Sequence, residues 1–159
     1  MLVRRAIPGD DEAIRQIITP IIRAGETYAL PSDWTGAEAL AYWRSPGHTV
    51  FVADDGAVVG TYYIRPNQSG GGDHVANCAF VTAASAQGRG VASAMCTHAL
   101  QYAAAAGYVA MQFNFVVCTN TRAVALWQRF GFKIVGRLPE AFRHPRSGLV
   151  DALMMYRKL

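Results

Sequence analysis

The segment Gln87-Gly88-Arg89-Gly90-Val91-Ala92 constrains this chain more than any other, because it joins a β-rich run, Val75 to Val81, to an alanine-rich helical run towards Ala106. Glycines without Cβ atoms permit a tight turn and a close ligand approach, and the turn delivers several amide N–H groups to a helix start. The helix dipole and those unpaired donors favour a phosphate there, and Arg89 adds positive charge at the rim. The surrounding chain is therefore read as α/β. The open question is which phosphate.

Two familiar answers fail on residues. A Walker loop needs Gly-Lys-Ser/Thr, and that tripeptide is absent. A dinucleotide fingerprint needs a third glycine where Ser93 stands and an acid at the end of the next strand, which here ends Val117-Cys118. A purely structural strand-to-helix connection is the bland alternative.

Composition narrows the partners. The 159 residues are 52% hydrophobic and 16% charged, with a net charge of +4. That suits one domain over residues 1–159 with a core of its own and a mild attraction for polyanionic small molecules. No Lys/Arg run or basic aromatic stripe marks a nucleic-acid track. Cys78, Cys96 and Cys118 are odd in number and widely spaced, which argues against a disulfide framework or zinc site and fits a reducing cytoplasm. No run is apolar enough for export or for a membrane span. The sparse charge leaves surface for a homodimer contact.

In chain order, Leu2 to Ile7 reads as a short strand, and Asp10 or Asp11 caps a helix with apolar Ala13, Ile14, Ile17, Ile18 and Ile21. Pro20 is expected to kink or end that helix, leaving an irregular segment from Gly25 to Pro31. A helix to Trp43 follows, then a hairpin of Thr49 to Ala53 and Val58 to Ile64 around Asp54-Asp55-Gly56-Ala57. His74 to Thr82, the glycine turn with its helix, Met111 to Val117, and a helix through Arg129 capped by Thr119-Asn120-Thr121 come next. Phe132 to Leu138 and Val150 to Arg157 form the last strands, joined by Pro139 to Leu149. The expected order is β α α β β β α β α β β in one α/β domain with a mixed sheet.

A second segment, Asn120-Thr-Arg-Ala123-Val-Ala-Leu126-Trp127-Gln-Arg-Phe130-Gly131-Phe132, lies past the intervening helix and strand. Together the two segments resemble the GCN5-related N-acetyltransferase (GNAT) superfamily. Its loop Q/R-x-x-G-x-G/A is matched by Gln87, Gly90 and Ala92, and its N-x-x-A-x-x-L-Y-x-x-x-G-F by Asn120, Ala123, Leu126, Gly131 and Phe132. Trp127 departs, standing where that superfamily usually has tyrosine. The runs His74 to Phe80 and Phe113 to Asn120, with Val150-Asp151-Ala152, further resemble the branch that acetylates azetidine-2-carboxylate and related proline analogues.

The resemblance implies acetyl-CoA as donor, a mostly antiparallel sheet flanked by about four helices, and a splay between His74 to Thr82 and Met111 to Val117. It implies that Gln87, Gly88, Arg89, Gly90, Val91, Ala92 and Ser93 hold the pyrophosphate. Phe80, Val81 and Thr82 would pair with the pantetheine arm, and Asn120, Ala123 and Trp127 would contact the cofactor from the other side. The acceptor it implies is a small-molecule amine, an amino or imino acid. A protein or peptide acceptor, or a non-catalytic acyl-CoA sensor, are the alternatives.

Acetyl transfer requires a neutral amine, a stabilised oxyanion and a departing sulfur. A backbone N–H near Phe80 serves the oxyanion by the same resemblance. Trp127 can orient or pack, since indole is a donor without useful acidity. Asn77 and Asn114 fall inside apolar strands, where an amide requires partners, so they either position substrate or water or close core hydrogen bonds. Asn77 and Asn120 are the catalytic candidates, and Glu26, Tyr28, Asn77 and Asn114 the acceptor-binding ones. His74 is a candidate base, though histidines at strand starts are more often surface or structural, while His98 and Cys78 read as packing residues. Arg143-His144-Pro145-Arg146 reads as a solvated loop with anion-binding potential.

Overall fold

The computed structural model describes residues 1–159. Its strands are β1 (Leu2–Arg5), β2 (Thr49–Asp54), β3 (Val58–Pro66), β4 (Val75–Thr82), β5 (Ala110–Val117), β6 (Lys133–His144) and β7 (Gly148–Lys158). Its helices are α1 (Asp11–Ala24), α2 (Gly36–Trp43), α3 (Val91–Ala105) and α4 (Thr121–Arg129). The seven strands form one sheet in the order β1-β2-β3-β4-β5-β7-β6. Every pairing is antiparallel except β4 with β5, which is parallel.

Alternation of side chains across the pleat divides the core in two. On one face Ile14, Ile17, Ile18 and Ile22 of α1 pack with Trp43 of α2 against Val50, Val52, Tyr63 and Val81. On the other, Met95, Cys96, Ala99 and Ala103 of α3 and Leu126 and Trp127 of α4 cover Tyr62, Ile64, Cys78, Met111 and Phe113. Small residues bring α3 close. A Cβ at Gly60 of β3 would lie 2.8 Å from a methyl of Val91, so glycine there lets the first turn of α3 settle on the sheet.

The parallel pair decides the architecture. β4 and β5 are in register only at Val75 with Ala110 and Ala76 with Met111, after which they diverge. Just past the last pair the Asn77 side-chain amide donates to the Gln112 carbonyl at 2.9 Å, holding the strands together at the fork. A register shift between Phe113 and Val116 bends β5 away while it stays on β7. The splay thus has a closed end at Asn77 and an open end at Thr82.

Three expectations need correction. Pro20 does not end α1, which continues to Ala24 and closes on Gly25 in the left-handed conformation. The missing N–H removes one bond to Gln16, but Pro20 is exposed, and burial of Ile22 in the last turn returns about 2 kcal/mol. Asp10 occupies the cap position of α1 without a capping bond. Its carboxylate instead accepts from Arg4, at 2.8 and 3.0 Å, and from the Ile7 N–H at 2.8 Å. Finally, most of Pro139 to Leu149 is not a connector. β6 and β7 run on to His144 and from Gly148, a long hairpin whose register shifts between Leu138 and Phe142 where Glu140 adopts φ 49°. Its tight turn is closed by His144 Nδ1, which accepts from the N–H groups of Arg146 and Ser147.

Candidate active site

A cleft of about 910 Å³ follows the splay from the glycine turn to the fork. Its mouth is the start of α3. Gly88 and Gly90 adopt φ 78° and 79°, the left-handed region, and a Cβ built on either would meet nothing within 4 Å. Glycine is required there for the backbone turn and leaves the approach open. The first intrahelical bond runs from Ala94 N to Gly90 O at 3.0 Å, so the N–H groups of Val91, Ala92 and Ser93 come before the ladder begins. Gln87, Gly88, Gly90, Val91, Ala92 and Ser93 all line the cleft.

Arg89 does not line it. Its guanidinium turns to the β2–β3 hairpin and pairs with Asp55 at 2.6 Å. Positive charge along the cleft comes instead from α4, where Arg122 and Arg129 both line it, two turns apart on one face. Sequence reading passed over both, although their i, i+7 spacing beside Asn120 was a usable signal. Asn120 caps α4 through a long 3.4 Å contact with the Ala123 N–H and also lines the cleft.

Along the middle of the cleft β4 offers its backbone. Odd-numbered residues of this strand bond to β3, as Ala83 N to Val59 O and Val75 O to Asn67 N show. By alternation, the N–H and C=O groups of Cys78, Phe80 and Thr82 face the splay. The Phe80 carbonyl is engaged from the other side by the Tyr28 hydroxyl at 2.7 Å. Trp127 is buried with its ring 5.1 Å from Phe80 and 4.9 Å from Phe113, so it packs the cleft wall in an aromatic cluster.

The inner end is a chamber on the α1–α2 side, lined by Ile21, Tyr28, Tyr42, Tyr63, Arg65 and Asn77. Asn114 lines it from β5, its amide donating to Asn67 Oδ1 at 2.6 Å and its oxygen accepting from Gln112 at 2.9 Å. Asn77 and Asn114 therefore have protein partners as well as cleft exposure. Glu26 is not brought to the chamber. Its carboxylate pairs with Arg146 of the β6–β7 turn at 2.7 Å, so two residues singled out separately in sequence hold each other. His74 also lies outside the cleft, and His98 bonds to the Tyr62 hydroxyl at 2.7 Å within the α3 layer.

The electrostatics are one-sided. Arg65, Arg122 and Arg129 line the cleft, and no aspartate, glutamate or histidine does. Burial holds the phenols of Tyr28 and Tyr63 well above their ordinary range, and burial raises the Cys78 thiol well above its own. At neutral pH these groups are donors, not bases. The site can bind anions and orient a neutral nucleophile, but it contains no titrating base.

Comparison with known proteins agrees with this geometry. The chain is 42% identical to a GCN5-related N-acetyltransferase from Kribbella flavida, with a TM-score of 0.92 over 99% of this chain and 97% of that one. It is 19% identical to yncA, a putative acetyltransferase from Salmonella typhimurium solved with its cofactor acetyl-CoA, sharing the fold at a TM-score of 0.86 over 100% of this chain and 94% of that one. Among curated proteins it is 31% identical over 97 residues to N-acetyltransferase aca1 of Schizosaccharomyces pombe, a stretch that is 60% of this chain and 46% of the relative. The matched stretch thus spans about half the length of that curated relative. The profile of the acetyltransferase (GNAT) family matches residues 13–132, which take in the splay, the glycine turn and α4. The chain belongs to the acetyltransferase (GNAT) family.

Proposed function

We propose that this chain is an acetyl-CoA-dependent N-acetyltransferase whose acceptor is a small-molecule amine, an amino or imino acid. The observation that carries the reading is the splay itself: a cleft running from unpaired helix N–H groups at its mouth to an aromatic chamber at its fork. The residues present fit acetyl-CoA. Gly88 and Gly90 leave the approach open, Val91 to Ser93 offer N–H groups to a pyrophosphate, and Arg122 and Arg129 supply charge. Cys78, Phe80 and Thr82 present backbone groups to an amide-bearing arm.

Bound acetyl-CoA would supply a thioester, to whose acetyl carbon the acceptor nitrogen would bond as the C–S bond broke, with the amine's proton passing to water and sulfur leaving as thiolate. The Phe80 N–H faces the splay and is the donor placed to take charge developing on the acetyl oxygen. Tyr28, through the Phe80 carbonyl, fixes the lip of β4 where that donor sits. Asn77 holds the fork and, with Asn114, gives the chamber a polar edge. Asn120, at the start of α4, is the residue nearest in role to a donor for the departing sulfur.

Work in the cytoplasm is supported by three unpaired cysteines and by the lack of any helix long and apolar enough to cross a membrane. A homodimer is supported by exposed Ile134 and Val135 on β6, the edge strand of the sheet.

The test is an acceptor panel, including amino acids and proline analogues, with CoA release followed beside acetyl-CoA binding by calorimetry. Turnover of amino or imino acids is expected. Intact acetyl-CoA binding with no CoA release from any small amine would overturn the reading in favour of an acyl-CoA-binding module, and release with peptides alone would move the acceptor to proteins.

A further inference from the structure

We propose that Arg65 anchors the acceptor's carboxylate, so that an acid group beside the amine is the specificity-determining feature of the substrate. This rests on the N-acetyltransferase reading above. Arg65 is the cross-strand partner of Asn77 in the β3–β4 register, and two residues after Tyr63 it projects from the same face, into the chamber. Its position is the closed end of the splay, beside the last β4–β5 pair at Ala76.

The guanidinium there has no counter-ion. Arg65 takes part in none of the chain's ion pairs. Its Nε is the one buried side-chain polar atom of the molecule without a hydrogen-bond partner. An arginine carries five N–H donors, and a cation held partly out of water without compensation is costly. No carboxylate of the protein lines the cleft, so the anion that matches this guanidinium is one a ligand brings. A planar carboxylate matches the guanidinium fork with parallel hydrogen bonds, which a lysine could not offer.

The pyrophosphate is not that anion. Gly60 of β3 faces Thr82 and Arg65 faces Asn77. Five residues therefore separate Arg65 from the mouth, about 17 Å of strand. The pyrophosphate has its own partners there in the N–H groups of Val91, Ala92 and Ser93. Phe80, by contrast, pairs with Tyr62, three residues from Arg65, or about 10 Å along the strand. An extended arginine side chain and an α-amino acid together span that interval, with the amine towards Phe80 and the carboxylate towards Arg65.

The test compares acids with the same amines lacking the carboxylate: azetidine-2-carboxylate with azetidine, proline with pyrrolidine, alanine with ethylamine. In the unaltered protein kcat/KM is expected to favour each acid. In Arg65→Gln that preference should collapse by about tenfold to a hundredfold, chiefly through the KM of the acid, with Arg65→Lys between the two. Acetyl-CoA affinity, measured on each variant, reports that the fold and the donor site persist, and Arg65→Lys carries the comparison if Arg65→Gln does not fold. Equal turnover of acids and plain amines, or an equal loss for both in Arg65→Gln, would overturn the anchor while leaving the N-acetyltransferase reading standing. Failure of every small amine with acetyl-CoA still bound would overturn both.

Discussion

The Tyr28 hydroxyl donates to the Phe80 carbonyl at 2.7 Å, and this bond ties the segment between α1 and α2 to the lip of the splay. The ring also meets Trp43 edge-on at 6.5 Å, so Tyr28→Phe keeps the packing and removes only the bond. A stability loss of about 1 kcal/mol is expected, read by urea unfolding. Because the segment roofs the acceptor chamber, the acceptor KM should rise about threefold to tenfold while acetyl-CoA affinity holds. An acceptor KM that does not move would separate this bond from substrate binding.

At the mouth, Gly90 has φ 79° with open space where a Cβ would stand. Gly90→Val places a β-branched residue in the left-handed region and fills the approach to the α3 N–H groups. Acetyl-CoA binding is expected to weaken at least about a hundredfold by calorimetry, more than the loss of thermal stability would account for. Gly60→Ala is the contrasting case. There the Cβ would press on Val91 and Met95, so stability should fall first and affinity only through displacement of α3.

What was readable in the sequence follows from where local signals are strong. Glycine turns, hairpin chemistry and apolar periodicity placed all the strands and helices in order, and two spaced motifs pointed to the family. A local rule was overridden by tertiary burial at Pro20, whose helix runs on because Ile22 is buried and closes at Gly25, where the irregular segment was expected to begin. Partners of charged side chains were not legible. Arg89 was assigned to the phosphate but reaches Asp55, and Glu26 was assigned to the acceptor but reaches Arg146. A guanidinium's reach crosses several elements, and only the folded sheet fixes which carboxylate lies within it. Arg65 illustrates the converse, since its lack of a partner exists only once β3 and β4 are in register.

Trp127 sits where relatives of the motif usually carry a phenol, yet here it is buried in a cluster with Phe80, Phe113 and Phe132. Trp127→Phe should retain kcat within about fivefold, because no proton is donated from this position. Trp127→Ala removes the packing and is expected to cost about 3 to 5 kcal/mol of stability. A loss of kcat by Trp127→Phe beyond about a hundredfold, with the fold intact, would instead assign the indole N–H a direct role in the reaction.

Asp10 offers a pH test of folding that is independent of the cleft. Its hydrogen bonds with Arg4, and then that with the Ile7 N–H, hold the carboxyl below its unfolded value of 3.8 against the opposing effect of burial. A depressed carboxylate stabilises the fold fully above the unfolded pKa and loses that contribution as pH falls through the folded one. Asp10→Asn should therefore cost about 2 kcal/mol near neutrality, and the gap to the unaltered protein should narrow as pH is lowered below about 4. Thermal melts of both proteins across that range would check it, a constant gap being the contrary result.

The cleft's missing base leads to a kinetic expectation. With no aspartate, glutamate or histidine lining it, and with the phenols of Tyr28 and Tyr63 raised by burial, the acceptor has to arrive as the neutral amine or lose its proton to water. Below the amine's own pKa the ammonium form dominates, so kcat/KM should climb about tenfold per pH unit and level off near that pKa. The inflection should then move with the acceptor, lying higher for a strongly basic secondary amine than for a weakly basic one. Measuring kcat/KM against pH for acceptors of graded basicity checks this directly. An inflection fixed near neutrality for all of them would instead assign the proton to a group of the protein, and His48, whose ring stacks on Tyr63 of the chamber at 3.9 Å, would be the first to replace.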